Sequence, residues 1–216
     1  MRRPQKPINR WSLPISSTPN IRPDLKLIAD LIEPGTRVLD IGSATGELLQ
    51  YLVQEKQVDG RGIELSQDGV NQCVARGLSV IQGDADNDLA EYPDQSFDTV
   101  ILSRTLQAVH QPREVLLELL RIGKQAIVTI PNFGQWHVRF SLLTRGRMPV
   151  TKALNRTWYN TDNIHFCTIL DLHDLIRQED INLLEFVPHQ KNGKKLKMGL
   201  VRANLIADQA LFLMKK

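Results

Sequence analysis

Residues 38–49 read VLDIGSATGELL and form the strongest local feature of the sequence. Their apolar start predicts a buried strand ending in Asp40, and Gly42 and Gly46 separate this strand from a helix that begins at once. Glycine permits a tight turn and close approach of a ligand to the backbone, while the free N–H groups of a helix start attract polar groups. An ordinary β–α turn uses glycine in the same way, so this stretch alone leaves both interpretations open.

Strand and helix patterns alternate around this turn. The sequence predicts strands at residues 37–41, 60–65, 79–82, 97–102 and 125–130, with helices that begin at Pro23, Gly46, Ser66 and Pro112. We expect Val53 and Val74 on buried helix faces. Such alternation is typical of a Rossmann-like α/β fold, a mostly parallel sheet with helices on both faces and a ligand at the carboxyl ends of its strands.

The two ends of the chain and one internal segment depart from this pattern. Residues 1–20 are rich in proline, serine and basic side chains and predict a flexible arm before a single domain at 21–216. Residues 131–163 lose all periodicity apart from a short helix at Trp136, Phe140 and Leu143, which favours a lid or a docking insertion. A helix at 171–179 and strands at 182–187 and 209–214, joined by a long hairpin, complete a seven-stranded sheet with an antiparallel edge.

Composition excludes several classes of protein. The 216 residues are 42% hydrophobic and 24% charged, as in globular proteins, and carry a formal charge of +3. The basic residues are spread along the chain, which argues against nucleic acid as a partner. Two cysteines cannot form a disulfide framework, no apolar run reaches the roughly 18 residues of a membrane span, and no signal peptide is evident. We therefore expect a cytoplasmic protein without a metal site.

Two further acids follow successive predicted strands. Glu64 ends the second strand, where a carboxylate accepts hydrogen bonds from both ribose hydroxyls of a nucleoside. Asp84 follows the third strand, where a carboxylate can accept a hydrogen bond from an adenine amino group. Each acid alone is equally compatible with a surface or capping role, but three acids at successive strand ends, Asp40 included, favour a nucleoside site.

The spacing Asp40-x-Gly42-x-x-x-Gly46 resembles motif I of class I S-adenosylmethionine-dependent methyltransferases. The nicotinamide fingerprint G-x-G-x-x-G fails here, because Ala44 and Glu47 stand where its second and third glycines belong. The stretch FDTVILSRTLQAVHQPREVLLELLRIG resembles the fourth strand and following helix of the same family. This resemblance implies S-adenosylmethionine as cofactor, bound by Asp40, Gly42, Ser43, Ala44, Gly46, Glu64, Leu65, Asp84, Ala85 and Ser103.

A narrower resemblance runs from about Ile21 to the C-terminus. The segments IVTIPNFGQWHVRF, GRMPV and WYNTDNIHFCT look like those of the methionine biosynthesis protein MetW family. That resemblance implies a role in methionine synthesis beside a homoserine O-acyltransferase of the MetX type. The chain departs from the family's glycine-rich loop at Ala44 and Thr45, and a left-handed backbone or an added methyl at Ala44 is expected to cost roughly 1–2 kcal/mol.

No catalytic constellation stands out. Ser103, Arg104 and Thr105 follow the fourth strand on the side where methyltransferases place groups that contact the acceptor. His110, His165 and Cys167 are alternatives as reactive groups, but the pattern favours a capping or exposed role for His110, and a structural strand accounts for His165 and Cys167. Three functions remain open: an accessory protein of methionine synthesis, a methyltransferase of small molecules, and a nucleic-acid-binding protein.

Overall fold

A computed structural model describes residues 21–150 and 156–216 as an α/β structure around one seven-stranded sheet. The predicted arm at 1–20 and five residues of the predicted insertion lie outside the described residues. The strands are β1 Arg37–Ile41, β2 Asp59–Glu64, β3 Ser79–Gln82, β4 Phe97–Ser103, β5 Gly123–Pro131, β6 Asn182–His189 and β7 Gln209–Lys215. The helices are α1 Pro23–Asp30, α2 Glu47–Lys56, α3 Gln67–Ala75, α4 Pro112–Ile122, α5 Trp136–Arg145, α6 Ile169–Gln178 and α7 Leu200–Ile206.

The strand order β3-β2-β1-β4-β5-β7-β6 places β1 beside a reversal of the winding. β3, β2, β1, β4 and β5 pair in parallel. β7 pairs antiparallel with β5, and the edge strand β6 pairs antiparallel with β7. The predicted class, a mostly parallel seven-stranded sheet closed by an antiparallel edge, is confirmed. A ligand site is expected at the carboxyl ends of the adjacent strands β1 and β4, where the strand order reverses.

Helices cover both faces of the sheet, as a parallel sheet requires. Along β4, Val100 and Leu102 pack in a core with α4 and α6, whereas the intervening Ile101 packs in a second core with α1 and α2. Ser66 caps α3 by accepting the N–H of Gly69, as the sequence predicts. No helix of the described chain has the length and apolar character to cross a membrane.

Some expectations about helices are wrong. Val53 and Val74 are exposed, because each lies at the margin of its helix's apolar face. The connection from β6 to β7 is not a simple hairpin, since α7 follows the basic turn at residues 191–197. By contrast, the short helix expected at Trp136, Phe140 and Leu143 is present as the ten-residue α5, and of its side chains only that of Val138 is buried.

Candidate cofactor and acceptor site

The loop after β1 turns through left-handed backbone at its glycines. Gly42 has a φ of 75°, and a Cβ there would lie 2.6 Å from the Thr105 hydroxyl oxygen. Gly46 has a φ of 76°, and a Cβ there would lie 2.5 Å from Leu78, which packs against the start of α2. Gly42 therefore keeps the loop close to β4, whereas Gly46 serves the packing of a helix.

Ala44 occupies the middle of this loop with a φ of 49°. A left-handed conformation strains an alanine. The sequence led us to expect either this strain or a methyl group in the way of the ligand, and the structure shows the left-handed backbone. Its N–H donates to Glu64 Oε2 at 2.7 Å, and Ser66 N–H donates to the other carboxylate oxygen at 3.0 Å. Glu64 thus fixes the loop, and its remaining lone pairs can accept bonds from a ligand.

Asp40 lies beneath the loop and is almost fully buried. Burial raises the pKa of its carboxyl to about 7, the charge of Glu64 adds to this rise, and a hydrogen bond from Ser43 opposes it. The Ser43 hydroxyl also donates to the Asp40 carbonyl at 2.8 Å. Both residues lie under the loop and do not border a cavity, so in this structure they support the loop.

Asp84 lies in the turn after β3. Its carboxylate accepts the N–H of Asp86 at 3.0 Å and the side-chain amide of Asn87 at 2.7 Å. The Asp86 carboxylate accepts the N–H groups of His110 and Gln111 at 2.8 and 2.9 Å, which ties this turn to the start of α4. Asp86 is not among the residues predicted from the sequence, although the acidic run DADND contains it.

Two adjoining cavities open at the carboxyl ends of the strands. The larger, of about 490 Å³, is bordered by Glu64, Ala44 and Ser103, and the smaller, of about 150 Å³, by Asp84 and Ala85. Both are bordered by Gly42, Leu65, Thr105 and Ala108. Seven of the ten residues named from the sequence therefore border this space, and Asp40, Ser43 and Gly46 lie outside it.

Much of the wall of the larger cavity comes from the segment predicted as a lid or docking insertion, residues 131–163, and from Phe166 just after it. Phe133, Met148, Trp158 and Phe166 supply apolar surface, and Arg156 adds a charge. Phe133 and Phe166 pack edge to face with ring centroids 4.8 Å apart. This wall of the cavity therefore offers both apolar and charged surface to a ligand.

The three candidate reactive residues, His110, His165 and Cys167, have different environments. Gln107 donates its side-chain amide to the sulfur and the carbonyl of Cys167, and burial raises the pKa of that thiol to about 11. The N–H of His165 donates to the carbonyl of Gln107. His110 is exposed beside the smaller cavity. Over residues 21–150 and 156–216, no group of three or more potential ligands is placed to hold a metal ion.

Sequence comparison finds two relatives of this chain among characterised proteins. It is 35% identical over 185 residues to the bifunctional methionine biosynthesis protein MetXA/MetW of Rhodopirellula baltica, an alignment that covers 82% of this chain and 29% of that protein. It is 29% identical over 125 residues to the demethylmenaquinone methyltransferase of Renibacterium salmoninarum, covering 54% of this chain and 52% of that one. The chain thus spans under a third of the first relative and about half of the second.

Structure comparison agrees on the fold. An S-adenosylmethionine-dependent methyltransferase from Archaeoglobus fulgidus superposes with a TM-score of 0.63 over 89% of this chain and 91% of that one, at 17% identity. The fold is therefore that of class I methyltransferases. The family model described as methionine biosynthesis protein MetW matches residues 22–214, nearly all of the chain. On these grounds the chain belongs to the MetW family.

Proposed function

We propose that this chain binds S-adenosylmethionine in the two adjoining cavities and works in the cytoplasm as an accessory protein of a homoserine O-acyltransferase of the MetX type. The observation that carries the first half is that Glu64 and Asp84 border cavities that meet at Gly42 and Leu65. The ribose then lies at Glu64 and the adenine at Asp84, against the apolar side chains of Leu65 and Ala85.

The partner half of the proposal is supported by the fused relative. That relative is a bifunctional protein whose name joins MetXA and MetW in one chain. Fusion places two domains at a high effective concentration, a benefit that separate chains obtain by binding each other. We infer that this chain binds a separate acyltransferase.

The surface we assign to the acyltransferase is the apolar face of α5, formed by Trp136, Phe140 and Leu143. These side chains recur at helical spacing, and Phe140 and Leu143 are 60% and 84% exposed. Contiguous exposed apolar side chains on a helix mark an interaction surface, and tryptophan is enriched among the residues that dominate binding.

Calorimetric titration with S-adenosylmethionine and S-adenosylhomocysteine tests the cofactor. We expect Glu64→Gln and Asp84→Ala each to weaken binding about 10- to 100-fold, because each removes a charged acceptor worth about 1.5–3 kcal/mol. Glu185→Gln, at an exposed acid on β6, is the matched control and should bind as the wild type does. Unchanged affinity in both site variants would refute the site.

Co-purification with the acyltransferase tests the partner. We expect Phe140→Asp to reduce complex formation at least about tenfold, since it places a charge in an apolar contact. The control Val74→Asp, at an exposed position of α3, should leave the complex intact. The acyltransferase assayed with and without the chain gives the functional readout, and equal activity would count against the accessory role.

A second candidate function is methyl transfer to a small molecule. The larger cavity extends beyond Ser103 toward Phe166 and leaves space for an acceptor next to the cofactor. Methyl transfer needs alignment above all, so the lack of a nucleophile–base pair among the described cavity residues does not oppose it. A labelled methyl group appearing in a product of the cell extract would establish this activity, and no labelled product would exclude acceptors in that extract.

A further inference from the structure

Arg104 carries a charge that the rest of the structure leaves uncompensated. It follows β4, is partly buried, and borders the larger cavity. Its Nε is buried without a hydrogen-bond partner. Within the described part of the chain, its guanidinium also forms no ion pair.

The other two arginines of this cavity differ in this respect. Arg22 pairs with Asp24 and Glu47, each at 3.5 Å, and Arg156 pairs with Asp162 at 3.0 Å. Burial lowers the pKa of Arg104, the charge of Asp24 opposes this and that of Arg22 adds to it. Since arginine stays protonated in proteins, a partly buried guanidinium without a partner is costly until an anion reaches it.

The backbone holds Arg104 in place. Its φ of 60° lies in the left-handed region, which is uncommon for residues other than glycine and clusters at ligand sites. The N–H of Arg104 donates to the carbonyl of Thr129 at 2.9 Å and also to its hydroxyl at 3.1 Å. β5 therefore fixes the turn that carries this side chain to the cavity.

The surroundings select the kind of anion. A guanidinium binds a planar carboxylate through two parallel hydrogen bonds. Glu64 also borders the cavity and would repel a doubly charged phosphate, whereas a single negative charge matches the one uncompensated cation among the described residues of the cavity. Phe133 and Phe166 offer apolar contact to the body of the ligand.

We propose that Arg104 binds the carboxylate of an amino-acid moiety in the larger cavity. The carboxylate comes either from the methionine part of the cofactor or from a second amino acid bound beside it. The first source rests on the proposed function, and the second is testable without it.

The test compares probes that differ in the carboxylate. Calorimetry with the full chain uses S-adenosylhomocysteine against 5′-methylthioadenosine, which lacks the amino-acid part. It also uses L-methionine against L-methioninol, in which an alcohol replaces the carboxylate, with and without saturating S-adenosylhomocysteine. The variants are Arg104→Gln, Arg104→Lys and the matched control Arg202→Gln, an exposed arginine of α7 outside the cavity.

Arg104→Gln should weaken the binding of a carboxylate-bearing probe at least about tenfold. It should change the affinity for the carboxylate-free counterpart less than about twofold. A loss of affinity for S-adenosylhomocysteine assigns the carboxylate to the cofactor. A loss of affinity for methionine but not for S-adenosylhomocysteine assigns it to a second ligand. Arg104→Lys should give a smaller loss because one point charge replaces the paired donors. Arg202→Gln should match the wild type.

Two results would overturn the proposal. One is that Arg104→Gln and Arg104→Lys bind every probe with wild-type affinity, and the other is that the wild type binds neither carboxylate-bearing probe. If only the two nucleosides fail to bind the wild type, the cofactor proposal fails while methionine still tests Arg104. Thermal unfolding without ligand verifies folding, and we expect Arg104→Gln to be at least as stable as the wild type, since it removes an unpaired charge.

Discussion

At the scale of single residues, Ala44 shows how a departure from a family pattern becomes a measurable cost. Its φ of 49° is one that glycine adopts freely and alanine does not. We expect Ala44→Gly to raise the free energy of unfolding by about 1 kcal/mol, because relief of strain outweighs the added freedom of the unfolded chain. Denaturant titration measures this change.

The control for Ala44→Gly is Ala75→Gly, at the exposed last residue of α3. There the backbone is helical, so glycine should lower stability by roughly 0.5–1 kcal/mol. Equal effects of the two substitutions would show that the conformation of Ala44 carries no strain.

Asp40 gives the second residue-scale prediction. Its pKa of about 7 exceeds the ordinary 3.8, so between about pH 4 and 7 the folded chain keeps a proton that the unfolded chain has released. This contribution to stability is fully present below about pH 4 and is lost as the pH rises to 7. Asp40→Asn stays neutral. Between pH 5 and 8 its free energy of unfolding should therefore exceed that of the wild type by about 2–4 kcal/mol.

Urea unfolding of Asp40→Asn and wild type at several pH values measures that difference. Asp68→Asn, at an exposed acid in the first turn of α3, is the control and should follow the wild-type pH dependence more closely. Parallel stability curves for Asp40→Asn and wild type would mean that Asp40 ionises at its ordinary pKa.

The sequence reveals residues whose role depends on their position along one strand, and it misses roles set by contacts between distant segments. Glu64 and Asp84 follow strands, so the periodic pattern alone predicts that they lie at one edge of the sheet. Asp86 matters because it accepts N–H groups from His110 and Gln111, over 20 residues away. The missing partner of Arg104 is likewise evident only once all its neighbours are known.

At the scale of elements, Asn132 joins the end of β5 to two helices. Its side-chain amide donates to the carbonyls of Asn204 and Ala207, and its Oδ1 accepts the N–H of Gly134 at 2.9 Å. The side-chain oxygen of Asn204 in turn accepts the N–H of Ile169, the first residue of α6. This network explains the role of asparagine in the PNFGQW segment.

Asn132→Ala should therefore lower the free energy of unfolding by about 1–3 kcal/mol, because buried carbonyl and N–H groups lose their partners. The control is Asn71→Ala, at an exposed position of α3, which should change the free energy of unfolding by less than about 0.5 kcal/mol. Thermal or denaturant unfolding compares the two variants, and equal small effects would show that the network is not stabilising.

The helix bounds show which local signals suffice. α4 has a strong apolar face and begins at Pro112, as the sequence predicts. α6 also has a strong apolar face, but it begins at Ile169, two residues before the predicted start, because Thr168 and Asp171 form a capping box. α7 has seven residues and begins at Leu200, where the N-cap residue Gly199 offers no side-chain cap, shortly after a lysine-rich turn. Its position depends on the Asn132 network and on packing against α6, neither of which is local in sequence.

At the scale of the whole molecule, the parallel sheet could be predicted because every parallel pair needs a crossover, and the crossovers are visible as helical periodicity. The placement of the insertion could not be predicted, because some of its residues border the cavity whereas others form the exposed helix α5. Phe133 borders the cavity, and three residues later Trp136 begins α5. This short connection brings the proposed cofactor site close to the proposed docking surface.

If both proposals hold, the two sites should be coupled. Thermodynamic linkage requires that S-adenosylhomocysteine change the affinity for the acyltransferase by the same factor by which the acyltransferase changes the affinity for S-adenosylhomocysteine. We expect a factor of about 5 to 150, the range of typical coupling free energies of 1–3 kcal/mol. Titrations in both orders measure it, with Phe140→Asp as the variant that should keep nucleoside affinity. Equal affinities with and without the second ligand would make the sites independent, and the bound nucleoside would then have no effect on the acyltransferase through this chain.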